Sequence, residues 1–489
     1  MAELTHVELL ELASYSPEES SLSALYTHIE TDSRKADENS IFFALPGVAT
    51  NGWDYLDQVA LSGCKTAVVP KELNLQHDAL ELVGVDHPTE LMIQCAQLFY
   101  GDMPKQMVAV TGTNGKSSIC YYLAQLAQAI GLKGGLVGTF GIGPLNALSE
   151  AEQTTPDLLS LHRTLRGMAA TGIELVAFEA SSHALDQGRM EGVPFQTAVF
   201  SNLSRDHLDY HGDMASYALA KSRLFSFPGV QHSIICADDA YADFMAKAAS
   251  QNHCHYYSEQ NSGADFFVKN LQQHANGFQF VLCCPDGEYS VSLPLLGHFN
   301  VQNALAALAA LWNQTEDKAH LIKGLSCLKG APGRMDKVEV PNAPLVVVDF
   351  AHTSDALQVA LQALKEHVNG RLICVFGCGG DRDRGKRPLM MDAALKNADF
   401  VWLTSDNPRT ESVEQILSDC LAAVGEGQGH FSVEGSRKEA IQKAILAASS
   451  DDVILLAGKG HETYQDIDGV KHHFDDKEEA MKALKNYVA

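Results

Sequence analysis

Thr113-Asn114-Gly115-Lys116-Ser117-Ser118, preceded by the apolar run Met107-Val108-Ala109-Val110 and followed by helix-like sequence, is the stretch on which the reading of this chain turns. Gln106 to Thr111 predicts a buried strand, and Gly112 and Gly115 leave room for backbone N–H groups to approach an anion at a helix start. Lys116 is then placed to reach terminal phosphates, and the Ser117 hydroxyl to hold Mg²⁺. The common P-loop pattern has a glycine five residues before the second one; this chain has Val110 there, so the loop is a shortened version. A glycine-lysine-serine turn also serves as a plain strand-to-helix connection. The flanks favour a phosphate cradle running from Gly112 to Ser118, and an ATP-using enzyme.

Outward from the loop, a strand with a polar exit recurs. Leu175 to Phe178 and Thr197 to Phe200 are apolar runs that stop abruptly in polar residues, as buried parallel strands do. Further on, Leu345 to Val348 leads into Asp349-Phe350-Ala351-His352, and Leu372 to Phe376 into Gly377 to Arg382. Phe400 to Leu403 leads into Ser405 to Arg409, and Val453 to Leu456 into Gly458 to Glu462. Helix-length sequence separates these runs, which predicts a doubly wound parallel sheet with ligands beyond the carboxyl ends of its strands. The first hundred residues hold shorter β-type runs, Ser40 to Leu45 and Lys65 to Val69, and one helical stretch. The expected fold is α/β with three domains. Residues 1–103 form a small N-terminal unit, and residues 104–333 a central parallel-sheet unit closed by the helix Val301 to Trp312. Residues 334–489 form a Rossmann-like unit after a linker at Gly330-Ala331-Pro332-Gly333.

Of the 489 residues, 46% are hydrophobic and 20% charged, which suits a globular protein. No uninterrupted apolar run reaches about 18 residues, and Met1-Ala2-Glu3-Leu4 lacks a signal peptide's basic and apolar regions, so a cytoplasmic protein without membrane insertion is expected. A net charge of −25 disfavours nucleic acid and anionic membrane as partners, and any acidic substrate must meet local cations. The eleven cysteines show no C-x-x-C spacing and read as reduced, mostly core residues. His253-Cys254-His255 reads as a surface turn rather than a metal ligand set.

Chemistry gathers in Glu179 to Leu185, Asn202 to Gly212 and Lys221. Glu179 ends a strand beyond the phosphate loop and suits the metal that Ser117 touches. Ser182, His207 and Asp209 could suggest a hydrolase triad, but the G-x-S-x-G elbow is missing.

Together with Gly297 to Ala304, Pro332-Gly333-Arg334-Met335, Asp349 to Asp355, Gly377 to Lys386 and Ala457 to Gln465, these strings resemble the Mur ligases of peptidoglycan precursor synthesis. The resemblance runs from about Thr31 to Gln465, and Asp406-Asn407-Pro408-Arg409 is similar to the mark of the branch that adds meso-diaminopimelate. It implies an ATP-dependent amide ligase of three domains. The D-glutamate γ-carboxylate of UDP-MurNAc-L-Ala-D-Glu would be activated as an acyl phosphate and then attacked by the amine of diaminopimelate.

Residue by residue, the resemblance implies that Lys116, Glu179, His207 and Lys221 are catalytic, with Ser117 and Glu179 on one Mg²⁺, His207 on a second, and Lys221 carbamylated by CO₂ into an anionic ligand. Asn303, Arg334, Asp349 and His352 match nucleotide-facing positions beside Gly112, Thr113, Asn114, Gly115 and Ser118. Thr31 and Ser33 match a uridine pocket; Gln153, Thr154, Thr155, Ser181, Gln187 and Arg189 match contacts to the muramoyl dipeptide. Arg382, Asp406, Asn407, Pro408, Arg409, Gly458 and Glu462 match contacts to diaminopimelate. Departures are Phe350 for tyrosine, Ser354 for proline and Gln153 for asparagine, and Val48-Ala49-Thr50 fills a variable stretch near the uridine diphosphate.

Diaminopimelate exceeds lysine by one carboxylate, which Arg409 could grip with two parallel hydrogen bonds. A buried arginine left without its anion costs on the order of 3 to 5 kcal/mol, enough for discrimination of about 10³. Alternatives are a lysine-adding ligase, a folylpolyglutamate synthetase and a nucleotide-binding regulator without catalysis. A monomer that closes on its substrates is the expected state.

Overall fold

The computed structural model describes residues 3–15, 22–47, 50–151, 153–274, 276–422, 424–425 and 430–488. Its described residues form three larger sheets, each built from one contiguous stretch of chain. The first is a four-stranded parallel sheet of His28–Glu30, Ser40–Phe43, Thr66–Pro70 and Glu81–Val85. Three helices accompany it, His6–Leu12, Leu56–Leu61 and Pro88–Tyr100, where the sequence suggested one; the first two are too short to show a full apolar period.

Gln106–Thr111 is a strand, as expected, in the interior of a ten-stranded sheet. It pairs in parallel with Leu175–Glu179 on one side and Thr197–Phe200 on the other. The chain leaves this first strand to one side, through Gly134–Gly138, and later returns on the other, so the phosphate loop opens at the point where the strand order reverses. Burial explains the layers. Val108 and Val110 face a core shared with the helices Lys116–Ala129 and His298–Trp312, whereas Met107 and Ala109 face a core shared with Leu158–Ala170 and Met214–Ser222. A strand buried on both faces reads as a continuous apolar run, which Met107 to Val110 is.

His253–Ser258 is also a strand of this sheet, parallel to His232–Cys236, so the expected turn at Cys254 is corrected. Cys254 and Tyr256 pack toward one core and Tyr257 lies in the other, so both faces are covered, a pattern that the imidazoles of His253 and the half-buried His255 obscured.

The third sheet orders Asp336–Val338, Leu345–Asp349, Val453–Ala457, Leu372–Cys378, Phe400–Ser405 and Phe431–Val433. All pairs but the first are parallel. Val347 packs toward the helices Ser354–Lys365, Lys386–Asn397 and Val413–Leu421, and Val346 and Val348 toward Arg437–Leu446 and Asp476–Tyr487. Helices thus cover both faces, the doubly wound arrangement expected. All eleven cysteines are free, eight of them buried.

Candidate active site

The strand Gln106–Thr111 ends in a loop whose two glycines are sterically required. Gly112 has φ +148°, and a Cβ there would lie 1.9 Å from the Ser201 hydroxyl oxygen. Gly115 has φ +87°, and a Cβ there would lie 2.5 Å from Asn303 Oδ1, so its absence lets the loop rest against the helix His298–Trp312. Asn114 N donates to Asn202 Oδ1 at 3.0 Å, and Ser117 and Ser118 are buried in the first helical turn.

Ser117 Oγ donates to Glu179 Oε2 at 2.7 Å. The other oxygen of Glu179 accepts from Thr139 N at 2.7 Å. Lys116 folds back over the loop, donating to the Gly112 and Thr113 carbonyls at 2.9 Å each, and burial lowers its pKa against the pull of Glu179. Lys221 is 1% exposed; its Nζ donates to the Gly112 carbonyl at 2.7 Å and lies 4.6 Å from the centre of the Tyr217 ring. Burial first, and repulsion from Lys116 second, hold this amine well below its usual 10.5. His207, at φ 52°, sits on the exposed side with ring centres 5.0 Å from His183 and 6.2 Å from Tyr217, and its Nε2 is 3.5 Å from Asp206. It shares no hydrogen bond with Ser117 or Glu179 among the described residues.

Among the described residues no three His, Cys, Asp or Glu side chains are grouped to hold a metal by themselves. Mg²⁺ takes one or two protein oxygens and fills its octahedron with phosphate oxygens and water. The Ser117 hydroxyl and the Glu179 carboxylate, 2.7 Å apart, are oxygens that could hold such an ion.

Beyond the loop, Arg189 joins several expected residues. Its Nη1 donates to Gln153 and to the Thr155 carbonyl, and its Nε to Gln187 Oε1 at 2.8 Å. Thr155 Oγ1 in turn donates to the Glu179 carbonyl at 2.7 Å and to Ser181 Oγ at 3.2 Å, while Thr154 lies 3.3 Å from Thr139. Gln153 is thus held by the guanidinium of Arg189. Thr31 is exposed in the first unit and Ser33 donates to Gln58 at 3.1 Å; neither shares a hydrogen bond with the Arg189 group among the described residues. Val48 and Ala49 lie outside the described residues; Thr50 accepts from the Tyr55 hydroxyl.

The third unit meets the central unit through aromatic contacts. The Arg334 guanidinium lies 4.8 Å from the Phe350 ring centre, and Phe350 lies 4.6 Å from His352 and 5.3 Å from His461. His461 stands edge-on to Phe140 of the central unit at 5.4 Å. Burial and the nearby Arg334 push it down to about 4. Asp349 accepts from the Met335 and Ala351 N–H groups at 2.8 and 2.9 Å, and burial raises its pKa. Phenylalanine at 350 keeps the face that the guanidinium needs. Ser354 opens its helix behind the Thr353 cap, a position where proline's missing N–H would cost nothing.

Asp406 and Asn407 are buried. Asn407 Nδ2 donates to Glu462 Oε2 at 2.8 Å, and its Oδ1 accepts from Lys459 Nζ at 3.1 Å and Asp466 N at 3.0 Å. Gly458 has φ +115°, with no room for a Cβ beside Asp406 Oδ2. Pro408 is buried, and Arg409, at φ 51° and 27% side-chain exposure, donates to the Gly380 carbonyl at 2.7 Å. Arg382 is exposed on the adjoining loop.

Sequence reasoning missed Thr139, Tyr217, Lys459 and His461. Thr139 follows the strand Gly134–Gly138, an exit like the ones read correctly but hidden by a glycine-rich strand. Lys459 and His461 lay inside a quoted string, but nothing in the string marks Lys459 as fully buried.

The Mur ligase middle domain profile matches residues 110–311, and that of the Mur ligase glutamate ligase domain matches residues 333–460. The UDP-N-acetylmuramoyl-L-alanyl-D-glutamate–2,6-diaminopimelate ligase of Ectopseudomonas mendocina (strain ymp) is 41% identical over 469 residues, covering 95% of this chain and 96% of its own. The enzyme of the same name from Coxiella burnetii is 42% identical, covering 93% and 95%. A solved structure of a ligase of that name superposes with a TM-score of 0.77 at 37% identity, covering all of both chains.

Proposed function

The chain belongs to the Mur ligase family, and from that premise we propose that it joins meso-diaminopimelate to the D-glutamate γ-carboxylate of UDP-MurNAc-L-Ala-D-Glu, using ATP, in peptidoglycan precursor synthesis. The observation that carries the reading is the meeting of Lys116, Lys221 and the Ser117–Glu179 pair on one loop, Gly112 to Ser117, with Arg409 at the exit of the third sheet.

The substrate carboxylate attacks the γ-phosphorus of ATP, the bond to the β-phosphate oxygen breaks, and ADP leaves an acyl phosphate. The diaminopimelate amine then adds to the acyl carbon, loses a proton and expels phosphate. Both substrates are anions, so positioning and charge screening carry the catalysis. Lys116 swings from the Gly112 and Thr113 carbonyls to the phosphates. Loop N–H groups hold the phosphate oxygens. Asn303, Arg334, Asp349 and His352 take the nucleoside, and Thr31 and Ser33 the uridine. Gln153, Thr154, Thr155, Ser181, Gln187 and Arg189 take the muramoyl dipeptide. Arg382, Asp406, Asn407, Pro408, Arg409, Gly458 and Glu462 take diaminopimelate, the acids facing its ammonium groups. Two Mg²⁺ ions, one held by Ser117 and Glu179 and a second by His207, with Lys221 as N6-carboxylysine an anionic ligand, would supply screening between carboxylate and triphosphate. The depressed pKa of Lys221 supports that modification: the neutral amine adds to CO₂, forms an N–C bond and releases one proton.

The domain limits 1–103, 104–333 and 334–489, a monomeric state and a cytoplasmic location complete the proposal. Among the described residues no helix is long and apolar enough to cross a membrane. Product analysis tests the reading: mass spectrometry should find the UDP-muramoyl dipeptide extended by one diaminopimelate residue, with one ADP formed per product. ADP formation without the tripeptide product would overturn it.

A further inference from the structure

The turn Asp406 to Arg409 and the loop Gly379 to Arg382 leave neighbouring parallel strands, at the paired residues Ser405 and Cys378. They pack without a gap. Gly380 N donates to the Asn407 carbonyl at 2.9 Å, Arg409 Nη1 donates to the Gly380 carbonyl, and a Cβ on Gly380 would lie 1.8 Å from the Pro408 carbonyl oxygen. Each loop also holds a left-handed non-glycine residue, Asp381 at φ 52° and Arg409 at φ 51°. Such residues persist where their surroundings over-determine them.

Here the surroundings converge on one guanidinium. Arg387, in the first turn of the helix Lys386–Asn397, is fully buried. It donates to both oxygens of Glu411 at 2.9 and 2.7 Å, to Asp419 Oδ2 at 2.7 Å and to the Gly379 carbonyl at 3.1 Å. Glu411 passes the constraint on: its Oε1 accepts from Asp381 N at 2.6 Å, and its own N donates to the Pro408 carbonyl at 3.1 Å. Thr410 completes the tie, donating from N and Oγ1 to the Asp381 carboxylate. No reacting group needs Arg387, yet its bonds fasten both loops on which the arginine at 409 rests.

We infer that Arg387, acting through Glu411, is a positioning residue for amino-acid selection: it fixes the Gly379–Arg382 loop against the Asp406–Arg409 turn and so aims the Arg409 guanidinium at the second carboxylate of the substrate. This rests on the diaminopimelate reading above. A guanidinium supplies the forked, simultaneous bonds that lysine cannot, and a small misplacement of a binding group lowers substrate affinity steeply.

The test compares steady-state kinetics of Arg387→Lys, Glu411→Gln and Arg384→Ala with wild type, varying diaminopimelate and ATP separately. Arg384 is exposed and pairs only with Asp419 among the described residues, so its loss should leave both KM values within about twofold. Arg387→Lys and Glu411→Gln should each raise KM for diaminopimelate about tenfold or more with KM for ATP little changed. Should melting curves show Arg387→Lys unfolded, Glu411→Gln alone decides. Adding Glu411→Gln to Arg409→Lys should raise KM for diaminopimelate no further than Arg409→Lys does alone, because one route is already broken. Parallel increases in both KM values, an unchanged KM for diaminopimelate, or fully multiplicative effects with Arg409→Lys would overturn the inference. Wild-type enzyme inactive with diaminopimelate would instead remove the reading beneath it.

Discussion

Lys116 and Lys221 donate to one acceptor, the Gly112 carbonyl, at 2.9 and 2.7 Å. Two ammonium groups so close in a buried loop repel, and the more enclosed one, Lys221, is driven toward its neutral form. A neutral amine at this place can take up CO₂. Lys221→Ala should therefore abolish ligase turnover while ATP binding survives, with partial recovery on adding acetate or formate. Turnover at the wild-type rate would contradict the role.

The same burial has a stability consequence. An unfolded lysine stays protonated up to its ordinary 10.5, whereas folded Lys221 loses its proton at a lower pH. The unfolded chain binds the extra proton in between, so this lysine destabilises the fold below that window and progressively less as pH rises through it. Lys221→Met, of similar length and uncharged, should melt higher than unmodified, ligand-free wild type at pH 7, and the gap should narrow toward pH 10. A lower melting point for the variant would show that the ammonium is well accommodated.

His461 joins the central and third units, edge-on to Phe140 and beside Phe350. Its folded pKa of about 4, against an ordinary 6.5, means that the unfolded chain takes a proton the folded one refuses. Stability is fully present above about pH 6.5 and declines as pH falls toward 4, by roughly 2 kcal/mol at pH 5. Melting temperatures at pH 7.5 and 5 should therefore fall less for His461→Phe than for wild type. Equal falls would place this imidazole in solvent.

Arg409 is partly enclosed and held by Gly380. Arg409→Lys keeps the charge but loses the fork. KM for diaminopimelate should rise by tenfold or more, about 1.4 kcal/mol or above, with KM for ATP nearly unchanged. Equal effects on both would argue against recognition by this side chain.

Much of this architecture could be read from the chain. Seven of the strands at the site announce themselves because parallel strands buried on both faces are continuous apolar runs that end in polar exits, as Met107 to Val110 and Val453 to Leu456 do. Helices too short for a period, such as Leu56–Leu61, and a strand disguised by interleaved histidines, His253–Ser258, were not legible. At the site, the glycines and Lys116 were legible because a phosphate loop needs them in sequence. Thr139, Tyr217 and Arg387 were not: each acts through a partner 40, 104 or 24 residues away, on Glu179, Thr113 and Glu411, and spacing along the chain carries no trace of that.

Catalysis as proposed requires one crevice to unite a nucleotide, a sugar-linked carboxylate and an amine bearing two carboxylates. Phosphate release measured with ATP, Mg²⁺ and UDP-MurNAc-L-Ala-D-Glu, adding each candidate amino acid in turn, decides whether it does. Release should be rapid with meso-diaminopimelate and kcat/KM at least about 10³-fold lower with L-lysine; equal rates with both, or release that does not need the muramoyl dipeptide, would rule out such a shared crevice.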